Sequence, residues 1–308
     1  MLIISVIIPA YNAERTILDT IASVQQQTFA DFELIVINDG STDGTLELLQ
    51  SVKDDRLQVF SYENGGLPTA RNRGIERSQG EFIAFLDADD LWATDKLELQ
   101  LASLQAHPEA GLAYSWTYYR FNSEQDSYAD TSNSFEGYVY ADLLVKNFLQ
   151  SGSNPLIRRE VINSVGLFDP ALKACEDWDF YLRIGAKWNF ALVKKVQIIY
   201  RQSSSSMTSK LDVMEKHTLI VIDRAFEIAP SELLYLKKQS LAWMYKFTAQ
   251  QCLKYGKPNL QSLNLAANRL KRAILIYPKN LFEGYTHGLI RKLVKSYVLL
   301  FLSIFSKP

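Results

Sequence analysis

Over the first hundred residues, strand and helix patterns alternate, and that alternation restricts the fold more than any single motif. Leu2 to Ile8 is an apolar run ended by Pro9, Ala13 to Gln27 carries Ile17, Ile21 and Val24 at helical spacing, and Phe32 to Ile37 is a second apolar run. A helical segment from Thr45 to Val52, a third strand from Arg56 to Tyr62, a helix from Ala70 to Ser78 and an apolar strand within Gly80 to Leu86 continue the series. Such βαβ repetition predicts an α/β fold with a mainly parallel sheet and helices on both faces.

An Asp-Ala-Asp-Asp cluster leaves the last of these strands. Asp87, Asp89 and Asp90 fall at its carboxyl end, the edge where open α/β sheets bind ligands. Asp90 precedes the helical pattern of Leu91, Leu97, Leu101 and Leu104 and is expected to cap it. Acids stacked at a buried strand end repel one another, and a cation relieves that repulsion. Asp87 and Asp89 are therefore candidate ligands for Mg²⁺ or Mn²⁺, which bind through one or two carboxylates plus substrate phosphates.

Two earlier turns reach the same sheet edge. Pro9-Ala10-Tyr11-Asn12 follows the first strand and Asn38-Asp39-Gly40 the second. Either Asp39 accepts a hydrogen bond from a base N–H while Tyr11 packs on the base ring, or Asp39 and Ser41 fix their own turn. Arg71 follows Gly65-Gly66 near a helix start, where the macrodipole disfavours a cation. It either binds a base carbonyl or phosphate, or forms a surface ion pair. Glu176 and Asp177 open a helix with Trp178, Tyr181 and Leu182 on one face, as caps or as a carboxylate base facing a cleft. Arg201 stands before the loop Ser203 to Met207, either a flexible linker or a cover for a diphosphate.

Composition limits the alternatives. The chain has 308 residues, enough for about two domains, and 33 basic against 34 acidic residues give net charge −1, without the electrostatic footprint of a general nucleic-acid binder. Cys175 and Cys252 are its only cysteines, and no signal peptide precedes the first strand, so a reducing cytoplasmic setting without disulfides is expected. His107, His217 and His287 lack zinc-ligand spacing. Tyr114, Trp116 and Tyr118 either stack on a sugar ring or belong to the sheet.

The sequence resembles the family 2 glycosyltransferases of the GT-A fold from about Ile3 to Met207. The elements that carry the resemblance are SVIIPAYN (Ser5 to Asn12), VINDGSTDGT (Val36 to Thr45), ARNRG (Ala70 to Gly74), GEFIAFLDADD (Gly80 to Asp90), GLFDP (Gly166 to Pro170), EDWDFYLR (Glu176 to Arg183) and YR (Tyr200 to Arg201). Their order and spacing match the family. The resemblance implies a nucleotide-sugar donor, most often a UDP-sugar, and inverting transfer with Mn²⁺ or Mg²⁺ to a glycan, lipid-linked or protein-linked acceptor. It implies that Pro9, Tyr11, Asn12, Asp39, Arg71, Asp87 and Arg201 contact the donor, that Asp89 ligates the metal, and that Asp177 is the general base with Glu176 beside it. Residues 1–105 would form the nucleotide-sugar half and 106–210 the acceptor half. Thr94 stands where the family often has proline, and Leu67-Pro68-Thr69 replaces a small-residue stretch before Ala-Arg-Asn. A noncatalytic nucleotide-sugar binding or assembly subunit, or a sugar nucleotidyltransferase, are the alternatives.

Beyond the resemblance, residues 211–308 read as a helical appendage, with helices at Asp212 to Ile228, Glu232 to Tyr255 and Leu260 to Tyr277. The tail, Leu289 to Phe305, joins Arg291, Lys292 and Lys295 to an apolar run from Val298. It is short for a membrane span; it either lies in a membrane interface, peripheral on the inner face, or packs on protein.

Overall fold

A computed structural model describes residues 3–121, 127–201, 211–255 and 259–305. The chain divides into two compact units, residues 1–140 with 148–203, and residues 141–147 with 204–308.

The first unit is built on a mixed sheet. Strands β1 (Ile4–Ala10), β2 (Phe32–Asp39), β3 (Leu57–Tyr62) and β4 (Phe82–Phe85) are parallel, in the order β3-β2-β1-β4. The sheet continues through β8 (Leu156–Arg158), β6 (Ala110–Arg120), β9 (Asn189–Arg201) and the short β5 (Leu91–Trp92), with β7 (Tyr128–Asp130) paired to β6. β8 is antiparallel to β4 and β6, whereas β6 and β9 run parallel. The expected mixed, mainly parallel α/β fold is the one observed, and the short helices α2 (Thr45–Ser51), α5 (Tyr140–Val145) and α6 (Arg159–Val165) lie between its strands in sequence.

Every residue of β1 and β2 is buried, as expected for strands covered on both faces. Side-chain alternation assigns the faces. Ile4, Val6 and Ile8 join Ile17, Ile21 and Val24 of α1 (Ile17–Gln25) and Leu97, Leu101 and Leu104 of α4 (Lys96–Ala106) in the main core. Ile7 faces the opposite way, toward α3 (Leu67–Arg77). A Cβ at Gly74 of that helix would lie 2.2 Å from Ile7 Cγ2, so the glycine of ARNRG permits close helix–strand approach.

Element boundaries differ from expectation where turn chemistry intervenes. Pro9 does not end the first strand but lies inside it, in register with Ile37. α3 begins at Leu67, with Pro68 in its first turn, where a missing N–H costs no helical hydrogen bond. Tyr114 and Tyr119 are buried side chains of the long β6. Part of the expected loop from Asn122 to Ser134 lies outside the described residues, as does the Gly256-Lys257-Pro258 break.

In the second unit, α8 (Leu211–Ile228), α9 (Lys237–Tyr255), α10 (Leu260–Ile276) and α11 (Gly284–Phe305) are the long helices. A 3₁₀ turn from Ser231 to Leu236 precedes α9, where a single helix from Glu232 was expected. Ala249, Cys252, Leu263, Ala266, Leu270, Leu289 and Leu293 form this unit's core. No helix among the described residues is long and apolar enough to cross a membrane.

Candidate active site

The carboxyl ends of β1, β2 and β4 carry the site, and hydrogen bonds tie their turns together. Asn12 has φ +49°; its Oδ1 accepts from the Thr42 N–H at 2.8 Å, and its own N–H donates to Ser41 Oγ at 3.1 Å. The Ala13 N–H donates to Thr45 Oγ1 at 2.8 Å. Tyr11 is 54% exposed beside this junction, whereas Pro9 is buried. The two turns thus share one edge.

Asn38, not Asp39, fixes the turn after β2, its Oδ1 accepting from the Ser41 N–H at 3.2 Å; Asp39 reaches a neighbouring loop instead. Its buried carboxylate accepts from the backbone N–H groups of Gly65 at 3.0 Å and Gly66 at 2.8 Å, and pairs with Arg73 Nη1 at 2.7 Å. It therefore organises the loop that opens α3. Gly66 has φ +84°, a conformation glycine adopts without steric penalty. Arg73 lies 4.5 Å from the centre of the Tyr62 ring.

The acidic turn after β4 separates its three carboxylates by environment. Asp90 is fully buried. One oxygen accepts from Ser153 Oγ at 2.6 Å and the other from the Arg201 backbone N–H at 3.1 Å. It does not cap the following helix, which begins after Asp95; its neighbours use it as an internal hydrogen-bond acceptor. Burial, then Asp89 and Asp87, raise its pKa well above the usual carboxylate range. Asp89 is exposed on the turn. Desolvation by the surrounding protein, with the adjacent Asp87 charge, pushes its pKa up to about 6.

Arg71 is 2% exposed, so it forms no surface ion pair. Its Nη2 meets Asp87 Oδ1 at 2.7 Å and its Nη1 meets Glu176 Oε1 at 2.8 Å, while the Phe168 ring centre lies 5.3 Å from the guanidinium carbon. Burial alone would lower the Arg71 pKa, but Asp87 and Glu176 more than offset it and hold the group charged. Glu176 opens α7 (Glu176–Gly185) after Cys175, which has φ +62°. Burial raises the Glu176 pKa to about 7 against the opposing pull of Arg71, and Asp177 adds to the rise. One guanidinium faces Asp87, Glu176 and Asp177, too few positive charges to keep all three ionised at no cost.

Asp177 is half-buried, and its Oδ1 accepts from the Trp178 N–H at 2.7 Å. It thus meets one of the free donors at the α7 N-terminus. Trp178 and Tyr181 are buried, and the Tyr181 hydroxyl donates to the Ser151 carbonyl at 3.1 Å. Arg201 lies against α1: Nη1 contacts Asp19 at 3.1 Å, Nη2 contacts Thr20 Oγ1 at 3.2 Å, and Nε donates to the Asp89 carbonyl. The loop Ser203 to Met207 that follows lies outside the described residues.

Tertiary structure adds Asn72, Arg73, Ser153 and Phe168. Asn72 and the Phe168 backbone exchange hydrogen bonds at 2.8 and 3.0 Å. Arg71 and Arg73 stand two residues apart on a helix and so project to different sides, a signal already present in ARNRG. Ser153 carried no such signal.

No cluster of three or more His, Cys, Asp or Glu side chains among the described residues is arranged to hold a metal. The remaining donor set is narrower. Asp90 is committed to protein hydrogen bonds, while Asp89 presents a carboxylate with an unfavourable negative neighbour. That chemistry fits a hard divalent cation completed by substrate oxygens.

The model of a glycosyltransferase-like family 2 matches residues 5–251. The chain belongs to this family. Among its curated relatives is the putative teichuronic acid biosynthesis glycosyltransferase TuaG of Bacillus subtilis, 36% identical over 186 residues, covering 59% of this chain and 71% of TuaG. The chain spans from 20% to 71% of the length of the first curated relatives it matches. The fold of this family 2 member is also that of Staphylococcus aureus TarS solved with UDP-GlcNAc, at TM-score 0.65 and 19% identity, covering 97% of this chain and 90% of that one. The mannosyltransferase PcManGT of Pyrobaculum calidifontis, solved with GDP-Man and Mn²⁺, gives TM-score 0.60 and 18% identity over 96% of this chain and 86% of its own. These likenesses establish a GT-A-type fold.

Proposed function

We propose that the protein is an inverting glycosyltransferase that moves a sugar from a UDP-sugar to a hydroxyl of a glycan or lipid-linked acceptor. The observation that carries this reading is the Arg71 bridge, which brings the acidic turn after β4 and the Glu176-Asp177 helix start to one guanidinium. Donor-side and acceptor-side carboxylates thereby lie around one place. The UDP-GlcNAc on TarS supports the donor class, and the putative teichuronic acid biosynthesis named for TuaG supports a glycan acceptor.

In this reading, Asp39 and the loop it organises, with Tyr11 and Asn12 on the neighbouring turn, bound the base and ribose end of the donor. Pro9 sets the strand end from which that turn departs. Asp87 lies toward the ribose, and Arg71 acts on the donor through Asp87. Asp89 would hold Mn²⁺ or Mg²⁺ together with diphosphate oxygens. The metal's chemistry there is to stabilise negative charge on the departing diphosphate as a Lewis acid, and the Mn²⁺ bound with GDP-Man in PcManGT supports its use.

Asp177 receives the proton of the acceptor hydroxyl as its oxygen bonds to the anomeric carbon from the side opposite UDP. The bond from that carbon to the diphosphate oxygen breaks, and UDP carries away the electron pair. Glu176, fixed by Arg71, positions the backbone that presents Asp177. Arg201 reaches the diphosphate only after its guanidinium leaves Asp19 and Thr20.

The test is nucleoside-diphosphate release from UDP-, GDP- and dTDP-sugars with Mn²⁺, Mg²⁺ or chelator, in the presence of a panel of glycan and lipid-linked acceptors. Metal-dependent release from one UDP-sugar, lost in Asp177→Asn, is expected. Nucleotide binding without release across the whole panel would overturn the catalytic reading in favour of a binding subunit.

A further inference from the structure

We infer that α11 docks on an anionic lipid surface through its exposed face. The inference is independent of the proposed donor chemistry. Residues 259–308 hold eight Lys or Arg against the single acid Glu283, in a chain whose total charge is −1. The charge is therefore concentrated at one end of the sequence.

α11 has two distinct faces. Leu289 and Leu293 are buried in the core of the second unit, with Ile290, Tyr297 and Leu300 packed partly against it. Val294, Val298, Leu299 and Leu302 point elsewhere and are between 51% and 56% exposed. At 100° per residue, Arg291 and Lys295 project in the same direction as Val298 and Leu302, one to three turns earlier. Lys292 borders the stripe beside Leu299. The exposed face is thus cationic in the middle of the helix, from Arg291 to Lys295, and aliphatic beyond, at Val298 and Leu302.

A stripe of exposed aliphatic side chains on a soluble surface marks an interaction site. Its occupant follows from charge. No Asp or Glu occurs within α11, so three cations face outward with no acidic side chain on their own helix. A surface offering both negative headgroups and an acyl boundary satisfies both halves of the face. No helix among the described residues is long and apolar enough to cross a membrane; the contact inferred lies in the interface plane, with the apolar residues at the headgroup boundary.

The test uses the full chain and sedimentation with vesicles of phosphatidylcholine alone or with about one third phosphatidylserine. Binding only to the anionic vesicles, weakened by salt, is expected. Arg291→Gln/Lys292→Gln/Lys295→Gln should reduce partitioning by at least about tenfold, and Val298→Ser/Leu302→Ser should reduce it similarly while circular dichroism remains unchanged. Equal binding to neutral vesicles, or anionic binding unchanged in both variants, would overturn the inference. So would light scattering showing a dimer that Val298→Ser/Leu302→Ser dissociates, with no vesicle binding by the parent.

Discussion

Arg71 and Glu176, 105 residues apart in sequence, meet as a buried ion pair at 2.8 Å. The pair joins α3, which lies between the third and fourth strands of the sheet in sequence, to the start of α7. Removing the guanidinium leaves carboxylates in a low-dielectric site without their partner. Arg71→Ala is expected to destabilise the first unit by about 3–5 kcal/mol, measured by urea unfolding. Arg71→Lys keeps charge but not the two-pronged geometry, and should recover only part of the loss. A stability change within experimental error in Arg71→Ala would refute the bridging role.

The same bridge can be strained without changing charge. A Cβ on Gly152 would lie 2.2 Å from Arg71 Nη2, and Arg71 is held on both prongs. Gly152→Ala should cost about 1–3 kcal/mol by overpacking. Combined with Arg71→Ala the penalty should shrink, so a double-mutant cycle gives the measurement. Strict additivity would show that the contact does not matter.

Glu176 gives stability a pH dependence of definite sign. Burial raises its pKa from 4.5 to about 7, so the folded protein retains a proton that the unfolded chain releases. Stability is then highest below the unfolded value and falls as pH rises between them. Glu176→Gln removes this term. The melting temperature of the variant relative to the parent should rise between about pH 5 and about pH 7.5; an unchanged difference would place the proton elsewhere.

Two substitutions separate chemistry from binding. Asp177→Asn should lower turnover by about 10² to 10⁴-fold with little effect on nucleotide binding. Parent-like turnover would remove Asp177 from the role of base.

Asp89→Asn should instead weaken nucleotide binding and abolish its dependence on Mn²⁺, followed by calorimetric titration with and without chelator. Asp89's pKa of about 6 adds a second readout. As pH falls through that value the carboxylate takes up a proton and competes with metal, so metal-dependent nucleotide affinity should fall in the parent. A metal dependence that survives in Asp89→Asn would assign the cation to other ligands.

The alternation of apolar runs and helical spacing from Leu2 to Leu86 determined the α/β architecture by itself, because strand and helix periods are local properties of the chain. Chain order also placed Asp39 and Asp89 at strand ends, since all parallel strands finish at one edge. What the residues around Arg71 do was decided only in three dimensions. Arg71 reaches Asp87 and Glu176, Asn72 holds the Phe168 backbone, and Arg73 pairs with Asp39. Three consecutive side chains of one helix thus hold four partner residues outside it, in directions set by helical rotation and by neighbours that periodicity does not name. Asp90 shows the same limit. Its sequence position suits a helix cap, but Ser153 and the Arg201 backbone, distant in sequence, turn it into a buried acceptor. A carboxylate's role depends on the donors and dielectric around it, and those are supplied by the folded chain.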